Sequence, residues 1–337
     1  MTHIIALQDM QEKVHGLGED APPISLQLDG LTVVGALDGM GGAGGTECDS
    51  AFGTHTQAYV ASRIVGQRIS EFIQHNPLSV QQEDFSARLH DVVKERLQQE
   101  LTNYPPKSKL GLRSTLIKTY PTTLALACVS LSDEGYLVDI YWAGDSRCYL
   151  WSREGLFQLT QDDLKGGLDP LQNLREDAPM SNCLQAESDF EIHHLRLSPL
   201  ALNEKFVVFA ATDGCFGYYA SPMDFEKAMV DALKCSSLEK EWRSRLSKAF
   251  AEATGDDFSF SLVALGFKDF NDIKRELGQY RPSLSSYFRK RTDYDKCKRS
   301  ILKLKKKLEQ QGRDLEKDID VLWEKYKDNY QKYLKQR

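Results

Sequence analysis

Acidic residues stand at the ends of apolar runs in this sequence, and this placement restricts the fold more than any other feature. The run 31–37 leads into Asp38-Gly39, and the run 206–211 leads, after one threonine, into Asp213-Gly214. Asp145 and Asp256 flank two further apolar runs in the same way. A turn would explain any one of these acids, because Asp and Gly are common turn residues. Four of them together predict strand ends that bring their carboxylates to one edge of a sheet.

Carboxylates held close together raise one another's pKa unless a cation cancels their charge, and oxygen ligands favour a hard divalent ion such as Mg²⁺ or Mn²⁺. Gly39 has no Cβ, so its carbonyl can approach a ligand beside the Asp38 carboxylate. The rival interpretation is a nucleotide-binding loop, because Gly39, Gly41 and Gly44 form G-x-G-x-x-G. No Gly-Lys-Ser/Thr follows, and the dinucleotide pattern requires a βαβ unit with an acid about 20 residues further on. The sequence therefore favours a metal site.

Strand-like and helix-like segments alternate through residues 1–270. The predicted elements are a hairpin over 24–37 with its turn at Asp29-Gly30, two helices within 46–101 that separate at 75–77, a basic loop at 104–109, strands 122–131, 137–143 and 148–151, an irregular stretch 162–189, a strand 206–211, a helical portion 224–254 and a strand 258–267. Clustered strands with short connections, and paired helices between them, indicate an α+β fold with largely antiparallel sheets.

The charge changes sign near residue 270. Residues 271–337 contain 20 Lys/Arg and 11 Asp/Glu, whereas the whole chain has a net charge of −6. We expect the chain to divide into a domain of residues 1–270 and a basic helical tail of residues 271–337. Apolar residues recur in the tail mostly at steps of three and four: Ile301, Leu304, Leu308, Leu315, Ile319, Leu322, Tyr326, Tyr330 and Tyr333. This pattern predicts a long amphipathic helix, as a coiled-coil strand, a hairpin turning near Gly312, or a helix packed on its own domain.

Composition excludes several classes of protein. No apolar stretch approaches the 18 residues of a membrane span, and the first residues lack the pattern of a secretory signal. The seven cysteines have no C-x-x-C spacing, which indicates free thiols in a reducing cytoplasm and argues against zinc. The acidic body attracts cations rather than nucleic acid, whereas the basic tail suits an acidic partner.

The order of short motifs resembles the metal-dependent protein phosphatases of the type 2C (PPM) family. The matching segments span about residues 10–267: Gly18-Glu19-Asp20, Leu37-Asp38-Gly39-Met40-Gly41-Gly42, Pro121-Thr122-Thr123-Leu124-Ala125, Ala143-Gly144-Asp145-Ser146-Arg147, Leu159-Thr160-Gln161-Asp162-Asp163, Ala211-Thr212-Asp213-Gly214 and Asp256-Asp257-Phe258-Ser259. The resemblance implies a four-layer α-β-β-α sandwich of two antiparallel sheets, with a binuclear metal centre at one end.

The resemblance also implies a role for each acid of the centre. Asp38 would bridge two Mg²⁺ or Mn²⁺ ions and Gly39 would give one of them its carbonyl, while Asp213 and Asp256 complete the other ion's shell. Glu19 and Asp20 would bind metal or its waters, and Asp145 would help hold a third, weaker ion. Asp38, Asp213 and Asp256 are thus the expected catalytic acids, acting through a metal-bridging hydroxide that attacks the phosphorus in line.

The chain departs from the family pattern at three positions. His15 stands where the family often has a phosphate-binding arginine, so His15 is the candidate ligand of the substrate phosphate. Met40 and Asp163 replace two histidines that do not bind metal in the family. The irregular stretch 162–189 falls where the family carries a variable flap beside its active site, and we expect it to affect specificity.

The sequence thus predicts a Mg²⁺/Mn²⁺-dependent serine/threonine phosphoprotein phosphatase, located in the cytoplasm, whose tail serves docking or self-association. The alternative is a non-catalytic module of the same fold that binds a partner. A nucleotide- or nucleic-acid-binding protein that uses the basic tail is a third hypothesis, which strongly salt-dependent binding would support.

Overall fold

The computed structural model describes residues 4–105, 118–166, 169–176 and 178–332. The chain divides into two compact units, Met1–Arg281 and Pro282–Arg337, and the domain boundary at residue 270 stays a prediction. The basic loop predicted at 104–109 lies outside the described residues from position 106 onward. Within the described ranges, every helix is too short or too polar to cross a bilayer.

Twelve strands are present in the described residues: β1 (Ile5–Gln11), β2 (Ile24–Leu28), β3 (Leu31–Ala36), β4 (Glu47–Ser50), β5 (Gly53–Thr56), β6 (Leu124–Ser132), β7 (Gly135–Ala143), β8 (Arg147–Ser152), β9 (Gly155–Gln158), β10 (His193–Arg196), β11 (Phe206–Ala211) and β12 (Phe258–Leu265). One sheet has the order β1-β12-β11-β8-β9, the other has the order β10-β7-β6-β3-β2, and β4 pairs with β5 apart from both. Every pairing between these strands is antiparallel.

The α-helices of the described residues are α1 (Gly41–Gly44), α2 (Gln57–His75), α3 (Phe85–Asn103), α4 (Pro170–Asn173), α5 (Asp213–Phe216), α6 (Pro222–Lys234), α7 (Glu239–Ala253), α8 (Phe270–Leu277) and α9 (Ser285–Tyr330). Hydroxyl and carboxylate caps start several of them. Thr56 accepts a hydrogen bond from the backbone of Tyr59 at the start of α2, and Ser221 does the same for Asp224 in α6.

Three apolar cores separate the four layers of Met1–Arg281. Side chains such as Val34 and Val208 fill the space between the two sheets. Helices α2 and α3 cover the outer face of the sheet that contains β3, with Leu89 fully buried there. Helices α6, α7 and α8 cover the other sheet, around Trp242. Strands β3, β11 and β12 are buried at every position, as central strands between apolar layers must be. The predicted four-layer α-β-β-α sandwich is confirmed.

Two secondary-structure predictions were wrong. Residues 47–56, assigned to a helix, form the β4–β5 hairpin, whose strands are polar and short and so lack a strand-like apolar alternation; Gly53 supplies a positive φ of 97° in this hairpin. The turn considered near Gly312 is absent, because α9 runs without interruption through that residue. A glycine inside a helix costs only about 1 kcal/mol relative to alanine, which a helix of 46 residues tolerates.

Phe260 tests the packing of the core between β12 and the helices α6, α7 and α8. It is fully buried on β12, and its ring lies 5.7 Å from that of Phe209 and 5.4 Å from that of Phe250. We expect Phe260→Ala to lower the free energy of unfolding by about 3–5 kcal/mol, because it removes apolar burial and leaves a cavity. Phe157→Ala is the matched control, since Phe157 is 41% exposed on β9 and should change stability by about 0.5 kcal/mol or less. Urea unfolding monitored by circular dichroism measures both; equal losses would contradict this packing.

Candidate metal centre

A cavity of about 300 Å³ opens at one end of the two sheets. Its walls carry Glu19, Asp38, Asp145, Asp256 and Asp257, together with glycines of the segment after β3. Antiparallel pairing explains this convergence: β3 and β7 end where β6 and β8 begin, and β11 ends where β12 begins. Asp38, Asp145 and Asp256, three of the four acids predicted at strand ends, therefore line one cavity, and Asp213 lines the adjoining concave surface together with Asp145.

Threonines at the start of β6 fix the backbone on both sides of the Asp38 side chain. The Asp38 N–H donates to Thr123 Oγ1 at 3.1 Å, and the Thr123 N–H donates to the Asp38 carbonyl at 2.8 Å. The Thr122 hydroxyl donates to the same carbonyl at 2.7 Å. Thr123 Oγ1 also lies 2.6 Å from Ser146 Oγ, which connects Asp38 to the turn that carries Asp145.

Three carboxyl groups cluster around Asp38. Asp20 and Asp213 are both near enough for their charges to act on the Asp38 carboxyl and raise its pKa. Asp20 is only 2% exposed, and the Thr212 hydroxyl donates to its Oδ2 at 2.8 Å. Thr212 directly precedes Asp213, so the strand that delivers Asp213 also holds Asp20. The two Asp-containing motifs, 192 residues apart in the chain, are thus joined by a neutral hydroxyl.

Burial and mutual repulsion raise the pKa of these groups. Desolvation, followed by the charges of Asp20 and Asp213, raises the pKa of Asp38 well above its usual value. Desolvation and Asp213 also raise the pKa of Asp145, to about 8. Desolvation and then Asp256 raise the pKa of Asp213. The cluster therefore favours a positive charge at its centre, which a proton or a metal ion supplies.

The donor set fits a hard cation. The charged groups that line the cavity are all carboxylates, whose oxygens are ligands that Mg²⁺ and Mn²⁺ prefer. In the described part of the chain, no three His, Cys, Asp or Glu side chains are arranged so that they could hold an ion as they stand. The site is therefore a carboxylate-lined cavity without a preformed set of three ligating side chains among the described residues.

The glycines beside Asp38 and Asp213 are needed because other segments of the chain pass too close for a side chain. This explains them better than the exposure of the Gly39 carbonyl alone. A Cβ on Gly39 would lie 2.4 Å from the Ala58 carbonyl oxygen, and one on Gly41 would lie 1.8 Å from Glu19 Oε2. A Cβ on Gly214 would lie 1.8 Å from the Asp257 carbonyl oxygen. Each Asp-Gly pair thus combines an acid of the cluster with a glycine that lets a second segment of the chain pass in contact with the backbone.

Asp257 holds the segment that carries Glu19, a role that the sequence did not reveal. Its carboxylate accepts hydrogen bonds from the backbone N–H of Lys13 at 2.6 Å and of Glu19 at 2.8 Å. These contacts join residues more than 230 positions apart. Asp257 is therefore occupied by the backbone, whereas its neighbour Asp256 is exposed on the cavity wall.

A buried ion pair supports the turn between β7 and β8, and sequence reasoning missed it. Arg147 donates from Nε to Asp162 Oδ1 at 2.8 Å and from Nη2 to Oδ2 at 2.5 Å, and both side chains are almost fully buried. The sequence showed the two motifs that contain Arg147 and Asp162. It did not show that these two side chains form an ion pair. Asp163, which replaces a family histidine, accepts from the Gly144 N–H at 2.9 Å and so ties the flap to the same turn.

His15 lies apart from the cavity lining. It is fully exposed on the segment between β1 and β2, and its Nδ1 lies 3.5 Å from Glu12 Oε2. Its assignment to the substrate phosphate stays a prediction. A second concave surface adjoins the acids instead and is lined by Asp145, Asp213, Asn173 and Arg175. Asn173 and Arg175 belong to the irregular stretch 162–189.

The family model for protein phosphatase 2C matches residues 17–251. Solved structures similar to this chain include a C. elegans sex determining protein, at 16% identity over 83% of this chain and 68% of that one, with a TM-score of 0.58. Stp1, a serine/threonine phosphatase from Staphylococcus aureus, has 16% identity over 79% and 95% of the two chains, with a TM-score of 0.55. The catalytic domain of the phosphatase PstP, in complex with two manganese ions, has 15% identity over 79% and 100%, with a TM-score of 0.51. None of the curated protein sequences shows significant similarity.

A carboxylate-lined cavity at one end of a four-layer α-β-β-α sandwich is the architecture of the metal-dependent protein serine/threonine phosphatases. Because the family model covers well over half of the residues, this chain belongs to the protein phosphatase 2C family. The family membership predicted from the motif order is confirmed, and with it the class of enzyme.

Gly214 and Gly42 form a matched pair that tests the close approach of the backbone. We expect Gly214→Ala to lower the free energy of unfolding by about 1–3 kcal/mol, because its methyl group meets the backbone oxygen of Asp257. A Cβ on Gly42 would have no neighbour within 4 Å, so Gly42→Ala should stay within about 0.5 kcal/mol of the parent. Chemical denaturation gives both values, and a tolerated Gly214→Ala would refute the contact.

Proposed function

We propose that this chain hydrolyses phosphoserine and phosphothreonine in proteins with two Mg²⁺ or Mn²⁺ ions, and a third weaker ion, held by Glu19, Asp20, Asp38, the Gly39 carbonyl, Asp145, Asp213 and Asp256. The observation that carries the proposal is the carboxylate-lined cavity, which has Glu19, Asp38, Asp145 and Asp256 on its walls and Asp213 on the adjoining surface. Acids clustered in this way are unfavourable without a cation. The two manganese ions in the PstP structure support the choice of metal by analogy.

Different residues of the site would bind the ions, orient the acids and leave room for the phosphoester. Asp38 interacts with Asp20, Asp213 and Asp145, so it is the acid best placed to contact two ions. Thr122 and Thr123 orient Asp38 through its backbone, and Asp257 holds Glu19. The ions, when bound, activate a water and shield the charge of the phosphoryl group. Met40 and the glycines after it leave the cavity open for the phosphoester.

Part of the substrate specificity is proposed to come from the surface that adjoins the acids. Arg175 is exposed there, beside Asp145 and Asp213. A guanidinium binds carboxylates and phosphates through paired hydrogen bonds. An acidic group on the substrate, next to the phosphorylated residue, is therefore the expected ligand of Arg175. His15 is the alternative contact, predicted from the sequence.

The proposal also covers the cellular compartment of the protein and the role of its tail. None of the seven cysteines, all of which lie in the described residues, is in a disulfide, and five of them are buried. This suits a reducing compartment, and on that basis we propose a cytoplasmic protein. The tail is proposed to serve docking or self-association.

Asp38→Asn tests the metal centre with a measurement independent of catalysis. The substitution removes a repelling charge, so the metal-free protein should melt about 2–4 °C higher, which corresponds to about 1 kcal/mol. Mn²⁺ should raise the melting temperature of the parent, because it binds the folded state. This rise should disappear in Asp38→Asn, because the variant no longer binds the ion. Hydrolysis of an aryl phosphate should fall by about 100-fold or more.

Asp133→Asn is the control, since Asp133 is an exposed residue of the β6–β7 turn. It should leave melting, Mn²⁺ response and turnover unchanged. If the parent protein responds to Mn²⁺ but hydrolyses no phosphoester, the non-catalytic binding module is correct. If Asp38→Asn keeps a normal Mn²⁺ response, the assignment of the metal ligands is wrong.

Arg175→Ala tests the proposed specificity surface. The loss of one charged hydrogen-bonding partner should raise KM for an acidic phosphopeptide about tenfold, while kcat and the hydrolysis of a small aryl phosphate stay the same. Lys165→Ala serves as the control, because Lys165 is an exposed cation of the same stretch that lies outside this surface. A tenfold rise for His15→Ala with none for Arg175→Ala would assign the contact to His15 instead.

A further inference from the structure

Helix α9 carries an apolar stripe that is exposed along its length among the described residues of the second unit, 282–332. Its 46 residues form one continuous helix. The leucines and isoleucines of the stripe are between 56% and 69% exposed: Ile301, Leu304, Leu308, Leu315, Ile319 and Leu322. An isolated helix gains little stability from propensity alone and depends on packing of its apolar face. A stripe of this length therefore calls for a partner surface of equal length.

The spacing of the stripe is the same from either end. Cys297, Ile301, Leu304 and Leu308 are followed, after a gap of seven residues, by Leu315, Ile319, Leu322 and Tyr326. The successive steps are four, three, four, seven, four, three and four. The second quartet lies 18 residues after the first, which is five full turns at 3.6 residues per turn, so both quartets lie on one face of a straight helix.

We propose that the tail pairs with the tail of a second copy of this chain, antiparallel, about a two-fold axis between Gln311 and Gly312. This axis superimposes the stripe on itself and brings the two quartets of different copies together. The facing positions are Cys297 with Tyr326, Ile301 with Leu322, Leu304 with Ile319, and Leu308 with Leu315. A two-fold interface requires such a self-complementary surface, and the palindromic spacing supplies it.

The charges favour the antiparallel direction. Residues 285–308 contain ten Lys/Arg and two Asp/Glu, whereas residues 309–330 contain four Lys/Arg and seven Asp/Glu. Antiparallel pairing places the basic half of each tail beside the acidic half of the other. A parallel pair would place the two basic halves together, and such like-charge juxtaposition disfavours an arrangement.

Residues that flank the stripe agree with this direction. Lys305 and Glu316 lie on one side of it, and Lys307 and Asp318 lie on the other side. In an antiparallel pair the same flanks of two helices meet, so each side gains pairs of opposite charge. Salt bridges between helices at such positions set partner choice and orientation.

A hairpin within one chain would bring the same residues together, and the uninterrupted course of α9 argues against it. A hairpin would have to break the helix between Leu308 and Leu315, yet α9 continues through Gly312. A Cβ on Gly312 would meet nothing within 4 Å, so the helix itself does not require glycine there. At the crossing point of two copies, a glycine allows their backbones to approach.

Disulfide trapping in the full-length chain distinguishes the three arrangements. Cys235 and Cys297 are the exposed cysteines, so Cys235→Ser leaves Cys297 as the accessible thiol. Adding Tyr326→Cys to this background should give, on mild oxidation, a cross-linked dimer on a non-reducing gel. The background without Tyr326→Cys should give none, because the two copies of Cys297 lie about 40 Å apart in the antiparallel pair.

The other outcomes overturn the proposal. A dimer that forms through Cys297 alone would show parallel pairing. A cross-link that leaves the mass at 38.2 kDa would show the hairpin. Absence of any cross-link would show that the stripe is covered by something else.

Light scattering supplies a second measurement, with a matched pair of variants. The parent should have twice the mass of 38.2 kDa, and Leu304→Asp should reduce it to one chain. Leu302→Asp should remain dimeric, because Leu302 is also about half exposed but lies about 100° around the helix from Ile301. Both variants should hydrolyse an aryl phosphate at the parental rate, which shows that the catalytic domain is intact. A monomeric parent, or equal effects of the two variants, would contradict the pairing.

Reversal of charge tests the direction independently. Lys307→Glu should raise the dimer dissociation constant about tenfold, and combination with Asp318→Lys should restore it, because the pair is remade with opposite signs. A combined variant as weak as Lys307→Glu alone would exclude contact between these two positions.

Discussion

Repulsion among carboxylates gathered at one end of the sandwich is the constraint to which the rest of the catalytic domain responds. Asp38 lies near Asp20 and Asp213, and the pKa of each of these acids is raised first by burial and then by a neighbouring acid. Hydrophobic packing alone would separate such groups. The strands that deliver them, β3 and β11, are buried along their whole length, so the cores fix the positions of the acids and leave a cation as the means of neutralising them.

Neutral hydroxyl groups position two of the acids. Thr122, Thr123 and Thr212 hold Asp38 and Asp20 through hydroxyl groups, which adds no charge to the cavity. Two charged supports accompany them: the Asp257 carboxylate, which holds Glu19, and the buried pair of Arg147 and Asp162, whose net charge is zero. This arrangement keeps the acids in place without cancelling the negative potential that attracts a divalent ion.

Sequence reasoning identified what depends on local pattern and missed what depends on distant contacts. The strand-end positions of Asp38 and Asp213 follow from apolar runs, and the sandwich follows from motif order. The Asp256-Asp257 doublet could not be resolved, because only folding brings the N–H groups of Lys13 and Glu19 onto Asp257. The polar β4–β5 hairpin was missed because Cys48 is the only residue of its two strands that belongs to an apolar core. Hydrogen bonds between buried polar groups that are distant in the chain produce no periodic pattern in the sequence.

Charge has opposite consequences in the two units of the chain. In the catalytic domain, like charges converge, so the proposed partner is a small cation. Along α9, the two signs separate into halves, so affinity is for a surface with the same separation in the reverse direction. An acidic patch on another protein could satisfy the basic half alone, but it would leave the acidic half and the second apolar quartet without partners. An antiparallel copy satisfies both halves and both quartets at once, because each half of the helix is the complement of the other.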